Sequence, residues 1–450
     1  MTAPLTNDKI AALATPFGAA ALAVIRTSGP DSVAAVARLT DRDTVVSATG
    51  GGRLRKVNIL DPTSGQVLDE VMLAIYREPR SYTGEEMVEI FCHGSPPGIQ
   101  QILTLLYRQG FRAAEPGEFT QRAFLAGKLD LTRAEAVQEI VRSRTAQGHD
   151  LALRRLGGSV SAAIEEAKQR LVRLMAPVAL QLDYPEEETG EIPFPVEPVR
   201  ELREQLSTLA GSYRTGRLYQ EGIVLVLAGR TNAGKSSLFN ALLKEDRSIV
   251  SATPGTTRDY IESSLDLGGV PVRVYDTAGV RVTGEEIEGE GIRRTRQVLE
   301  AADLVLYLVD GTVGIDEEDR EFLGRGTRLL PVWTKSDAPH CLPAPESFLP
   351  LSALTLAGLD RLVEEVLTRV TPEQTYPEGS PVIDSLRQKN LLEAASQSLL
   401  HVEEGLAAGV PIDAIALDLQ EAIHALGEIT GEVTSADILE QVFTGFCVGK

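Results

Sequence analysis

The 450 residues contain no run of eighteen apolar side chains, and no basic stretch precedes an apolar one at the N-terminus. The first absence excludes a helical membrane span and the second a secretory leader. Cysteine is scarce. The three present (Cys92, Cys341 and Cys447) are unevenly spaced, form no metal-ligating pattern and point to a reducing cytoplasm. Positive charge is also in short supply, with 44 Lys and Arg against 64 Asp and Glu and a net charge of −20. Such a chain repels nucleic acid on average, so an RNA partner needs a local basic patch or a basic co-protein. Arg142, Arg144, Arg154 and Arg155 are a candidate patch, but they read better as a solvated helix face.

What is present is chemically specific. Gly229-Arg230-Thr231-Asn232-Ala233-Gly234-Lys235-Ser236 fits G-x-x-x-x-G-K-S and directly follows the apolar run Ile223 to Ala228. Strand, glycine-rich turn and helix form a phosphate cradle, because the turn's N–H groups point inward and the helix start adds its dipole. The expected nucleotide contacts here are Asn232, Ala233, Gly234, Lys235, Ser236 and Ser237, with Lys235 reaching the β- and γ-phosphates and Ser236 binding Mg²⁺. Asp276-Thr277-Ala278-Gly279 ends the strand-like run Val270 to Tyr275. Its carboxylate can hold Mg²⁺ and the Gly279 N–H can sense the γ-phosphate. A threonine of the loop Ser251 to Asp259, Thr256 or Thr257, is expected as the further Mg²⁺ ligand, and Thr257 is assigned that place.

Thr334-Lys335-Ser336-Asp337 follows another buried-strand pattern. The acceptor-only Asp337 carboxylate suits the N1–H and N2–H₂ donors of guanine, the Lys335 stem can cover the base, and Ser352-Ala353 would meet the guanine O6. The ligand is therefore expected to be GTP with Mg²⁺. Threonine stands at 334 where asparagine is usual, and a shorter side chain is expected to tie the base loop less firmly. Val280 occupies the place where many small GTPases carry a water-orienting glutamine. One of Glu285, Glu286, Glu288 and Glu290 could replace it, and Asn232 could bring in a monovalent cation.

The length allows two to four domains. Residues 1–120 read as α+β, with strands at Ala21 to Arg26, Leu68 to Tyr76 and Met87 to Phe91. From Thr120 the pattern becomes helical, with Thr132 and Glu135 as a capping box and breaks at Gly157-Gly158 and across the acidic, proline-rich stretch Asp183 to Pro198. A helical run Val199 to Tyr219 leads into the phosphate-loop strand. Further helical runs, Val382 to Leu406, Ile412 to Leu426 and Ser435 to Phe443, follow the nucleotide block. An α/β P-loop GTPase domain inserted into a helical domain is the simplest arrangement.

Several segments carry a family resemblance: Val24-Ile25-Arg26-Thr27-Ser28-Gly29-Pro30, Tyr82-Thr83-Gly84-Glu85, Gly117-Glu118-Phe119-Thr120, Arg122 to Leu131, the P-loop with Asn232, Gly255-Thr256-Thr257-Arg258-Asp259, and the ending Phe446-Cys447-Val448-Gly449-Lys450. Along its whole length the chain resembles the MnmE (TrmE) family of tRNA modification GTPases. The resemblance implies a tetrahydrofolate-binding and dimerising domain (1–120), a helical domain in two parts (121–218 and 379–450) and a G domain (219–378). It implies a potassium-stimulated hydrolase in which Asn232, Ser251, Thr253 and Thr256 surround K⁺, Glu288 orients the attacking water, and Lys235 and Asn232 act in catalysis. Arg26, Glu85, Arg122, Lys128 and Lys450 are the expected folate contacts, and Cys447 belongs to a tail motif for tRNA or partner. A homodimer is implied, joined to an MnmG-type, FAD-carrying flavoprotein as a heterotetramer. Together they modify C5 of the wobble uridine in certain tRNAs to an aminomethyl or carboxymethylaminomethyl group, with carbon from methylene- or formyl-tetrahydrofolate. The competing reading is a regulatory or ribosome-assembly GTPase.

Overall fold

The computed structural model describes residues 8–183, 194–244, 262–276, 298–324, 328–372, 376–377 and 379–450. Two compact units emerge, one of Met1–Gln138, Leu156–Arg173 and Gln420–Lys450, the other of Glu139–Arg155 and Leu174–Leu419.

The first unit is built on a six-stranded sheet. Its strands are β1 (Lys9–Leu13), β2 (Ala20–Ser28), β3 (Arg53–Leu60), β4 (Val67–Tyr76), β5 (Met87–Gly94) and β6 (Phe111–Ala113), in the order β3-β4-β5-β2-β1-β6. All neighbours are antiparallel except β1 and β6. Alternation places Ile25, Val57, Ile59, Leu73, Val88 and Ile90 in a core closed by the helix Pro96–Arg108, which contributes Ile99, Ile102, Leu105 and Leu106 at helical spacing. Each such side chain contributes about 1.5–3 kcal/mol when fully buried.

The second unit carries a sheet of β7 (Ile223–Gly229), β8 (Glu262–Leu267), β9 (Val270–Asp276), β10 (Leu304–Asp310), β11 (Leu329–Thr334) and β12 (Leu349–Pro350). The order is β12-β11-β10-β7-β9-β8, parallel except for the β8–β9 hairpin. The central strands are apolar on both faces, as helices on both sides require. The helices that precede and follow this sheet in sequence pack against each other. Val196–Gly211 runs along Leu386–Ala408, with Arg203 Nε donating to Glu403 Oε1 at 2.7 Å and the hydroxyls of Ser207 and Ser396 2.8 Å apart. The P-loop domain is thus inserted into a helical one.

Local details depart from the sequence reading. Thr132 is not a cap, because the helix Leu131–Arg142 starts one residue earlier and Asp130 Oδ1 accepts from Arg133 N at 3.0 Å. Gly427 does not end its helix, which runs Ile412–Thr430, since burial of Leu426 and Ile429 outweighs the roughly 1 kcal/mol penalty of one glycine. The run from Val199 is two helices, divided at Ser212. Arg155 is not on a solvated face. It is buried, with Nε 2.6 Å from Glu139 Oε2, Nη2 3.0 Å from Asp384 Oδ2, and Nη1 donating to Val382 O at 3.2 Å. Among the described residues, no helix is long and apolar enough to cross a membrane.

Candidate functional site

Strand β7 delivers the chain into the turn Gly229 to Gly234. Gly229 has φ 136°, and a Cβ there would lie 2.3 Å from the Leu308 carbonyl oxygen, so only glycine lets β7 and β10 approach at this point. Asn232 takes the left-handed conformation at φ 63°, which asparagine tolerates better than most residues. The helix Lys235–Lys244 follows at once. Lys235 is buried, and its ammonium donates to the carbonyls of Gly229 (2.7 Å) and Arg230 (2.6 Å), which holds the charge over the loop. Ser236 Oγ donates to Asp276 Oδ2 at 2.9 Å. A hydroxyl and a carboxylate side by side at a helix start form a hard oxygen donor pair suited to Mg²⁺.

The base-loop candidates meet the phosphate loop directly. The Thr334 hydroxyl lies 2.8 Å from Ala233 O and 3.0 Å from Val309 O, and the side chain is 3% exposed. Threonine at this position thus reaches the P-loop. Lys335, at φ 57°, places its ammonium 2.5 Å from Asp310 Oδ2. Burial pushes the Asp310 carboxyl up, but Lys335 and the N–H and hydroxyl of Thr312 outweigh it and hold the group below the ordinary carboxylate range. Ser336 N donates to Leu351 O at 3.2 Å, joining this loop to Ser352 and Ala353, while Asp337 is exposed. Ser352 Oγ accepts from Thr355 N at 3.1 Å. Ser251, Thr253, Thr256, Thr257, Thr277, Ala278, Gly279 and Glu288 lie outside the described residues.

A second constellation occupies the first unit. Arg26 donates through Nε to Glu89 (2.9 Å) and through Nη1 to the Gly449 carbonyl (2.9 Å), and its guanidinium lies 5.8 and 5.7 Å from the ring centres of Tyr82 and Phe119. The C-terminal tail is thereby bound to strand β2. Phe119 N donates to Lys450 O at 3.2 Å and Gly117 N to Cys447 O at 3.4 Å. Burial, with repulsion from Arg26 adding to it, pulls the Lys450 ammonium below its ordinary range. Arg122 is buried and committed to protein carboxylates, with Nη2 2.6 Å from Asp8 and 2.8 Å from Glu118, and Nη1 3.1 Å from Glu85. Ser28 Oγ donates to Glu85 Oε2 at 2.6 Å, and Lys128 donates to the Pro79 carbonyl at 2.5 Å. Cys447 is exposed, whereas Cys92 is buried and its thiol is pushed up to about 11 by burial and then by Asp69.

The MnmE helical-domain family matches residues 131–447, and the family described as the GTP-binding protein TrmE N-terminus matches residues 9–128. The tRNA modification GTPase MnmE of Carboxydothermus hydrogenoformans is 40% identical over 99% of this chain and 100% of its own length. That of Treponema denticola is 41% identical over 99% and 98%. The chain belongs to the MnmE family of tRNA modification GTPases. A solved structure of Aquifex aeolicus Era is similar over 40% of the chain and 67% of its own at 25% identity, with a TM-score of 0.27, and adds nothing to the assignment.

Within this MnmE-family chain, sequence reasoning passed over two groups at the nucleotide site. Asp310, at the end of β10, fixes Lys335. Asp316 pairs with Arg230 of the P-loop at 2.5 Å while capping the helix Glu317–Leu323. An acidic residue at the C-terminal end of a parallel strand, where ligands of open α/β sheets gather, was the available signal for Asp310.

Proposed function

We propose that this MnmE-family chain hydrolyses GTP in a potassium-stimulated cycle. With an MnmG-type flavoprotein carrying FAD, it would modify C5 of the wobble uridine of certain tRNAs using a one-carbon unit from methylene- or formyl-tetrahydrofolate. The observation that carries the hydrolase reading is Lys235 and Ser236 on a P-loop that Thr334 ties to the base loop, with Asp276 of β9 brought beside Ser236. In this reading the turn's N–H groups and Lys235 hold the phosphates, Ser236, Thr257 and Asp276 hold Mg²⁺, and Asp337 reads the guanine edge. Glu288 orients the water that Val280 cannot. Asn232, Ser251, Thr253 and Thr256 hold K⁺, whose charge replaces an arginine finger. A supplied positive charge is worth about 10³ to 10⁵ in rate.

For the folate, Glu85 is the acceptor suited to the N–H donors of a pterin, fixed by Ser28 and Arg122, while Arg26, Lys450 and Lys128 supply positive charge for the acidic tail. Homodimerisation through the first unit and cytoplasmic work belong to the same reading. The test is GTP turnover in KCl and NaCl at equal ionic strength. A rate at least tenfold higher in KCl is expected, and equal rates would remove the cation from the mechanism.

A further inference from the structure

The second unit holds a cleft of about 1390 Å³ that the nucleotide reading does not use. It opens at the starts of the parallel strands, where Ile223 and Val224 begin β7, Asp303 precedes β10 and Arg328 precedes β11. The P-loop lies at the other end of β7, roughly 20 Å away at about 3.3 Å per residue. Arg214, Arg217, Arg273, Arg328, Arg369 and Lys389 line the cleft, against Glu221 and Asp303 as the acidic side chains in the lining among the described residues. Just outside, Glu365 pairs with Arg369 at 2.9 Å and Glu393 with Lys389 at 2.8 Å, and Arg217 is 2.7 Å from Glu221. Those three cations are partly neutralised. Arg214, Arg273 and Arg328 have no carboxylate partner among the described residues.

Arg214 and Arg328 are exposed at the rim, and Arg273 is half-buried on the floor. The Arg273 Nε is shut away from solvent with no acceptor among the described residues. As a lining residue, Arg273 adds its positive charge to the floor of the cleft. Tyr213 stands in the same lining, and Tyr275 does so while packing against the apolar cluster of the sheet.

In a chain of net charge −20, this concentration of cations is the local patch that RNA binding requires. Of the stretch that sequence offered for the purpose, Arg155 is consumed by Glu139 and Asp384, which leaves Arg142, Arg144 and Arg154 exposed. We infer that the cleft is a binding site for the phosphate backbone of tRNA, with Arg214, Arg273 and Arg328 as the side chains that meet its phosphates. This rests on the reading of tRNA as the macromolecular substrate, and on neither the potassium nor the folate proposal.

The test is binding of fluorescently labelled, unmodified tRNA to the full chain, followed by anisotropy between about 50 and 200 mM salt. The Arg214→Ala/Arg328→Ala variant is expected to bind about tenfold or more weakly at low salt, with a log–log salt slope smaller by about two, one for each phosphate no longer neutralised. The Arg214→Lys/Arg328→Lys variant keeps the charges and is expected to stay within about threefold of the unaltered chain. Lys56→Ala removes an exposed charge of the first unit, outside the cleft lining and paired with Glu70, and should change affinity less than about twofold. Matching thermal unfolding curves show that the variants fold. An unchanged slope in the alanine variant, or equal loss in the lysine variant, overturns the cleft while leaving tRNA as substrate. Displacement by polyglutamate as effective as by unlabelled tRNA of equal charge also overturns it, in favour of an acidic protein partner. No tRNA binding by the unaltered chain at any salt overturns the substrate reading itself.

Discussion

Thr334→Val removes the hydroxyl that joins the base loop to the phosphate loop and that also lies 3.0 Å from Val309 O. Valine keeps the shape of the buried side chain and removes its only polar donor, which sits 2.8 Å from the Ala233 carbonyl. A buried hydrogen bond contributes about 1 kcal/mol net, and an acceptor left alone in a buried place costs about 1–3 kcal/mol. Expressed in the affinity of the assembled site, that is roughly a five- to 150-fold weakening, at about 1.4 kcal/mol per decade. The assay is calorimetric titration of the full chain with GDP and Mg²⁺, beside a urea unfolding curve that separates site loosening from global loss. Thr334→Asn supplies the usual family residue. Because the threonine already reaches the P-loop, this change should move affinity by less than about threefold. If valine binds GDP within about twofold of the unaltered chain, or asparagine tightens binding tenfold, the tie inferred from the geometry is not functional.

Arg155→Ala should strand Glu139 and Asp384 in the interior and cost about 3–5 kcal/mol, seen as a fall of about 1 M or more in the urea midpoint; a change below about 0.3 M would refute the triad's role. Glu139 is pushed well above its ordinary 4.5 by burial and then by Asp384, so the folded state holds its proton more tightly than the unfolded chain. Its contribution therefore falls as pH rises from about 4.5 through the folded value. Glu139→Gln should flatten the pH dependence of the urea midpoint over that range, and an identical slope in both proteins would contradict the assignment. Removing Cys447 to Lys450 takes away the carbonyl that accepts from Arg26 and the Lys450 ammonium beside it. The truncated chain should bind reduced folate about tenfold or more weakly by calorimetry, and unchanged heats would place the folate elsewhere.

The segments legible from sequence were those whose causes are local. Val270 to Tyr275 and Leu329 to Trp333 read as strands because central parallel strands are buried on both faces and need apolar runs. The P-loop is set by glycines within eight residues, so its shape and the placement of Lys235 and Ser236 followed directly. What escaped depends on partners far along the chain. Arg155 looks like any helix-surface arginine until Asp384, 229 positions on, folds beside it. Arg26 shows no sign of its bond to Gly449, 423 positions away. Thr132 does not cap its helix because Asp130 stands two residues earlier with a better-placed carboxylate. The cleft of arginines was illegible for the same reason as Arg155, since its cations come from helix Tyr213–Glu221, strand β9, the residue before β11, and two later helices.

The side-by-side exit and return of the inserted domain has a consequence for biosynthesis. Ile383 donates its N–H to Ser212 Oγ at 3.0 Å across a sequence separation of 171. At a translation speed of about 5–20 residues per second, the helix that ends just before Ser212 waits roughly 10 to 35 seconds for its companion. During that interval Val199, Leu202 and Leu206 have no mate and face water or a chaperone. The sheet that emerges in between carries its own apolar core and can settle first. Nascent chains stalled within the later helices should accordingly protect the nucleotide domain from protease before the bundle around it closes.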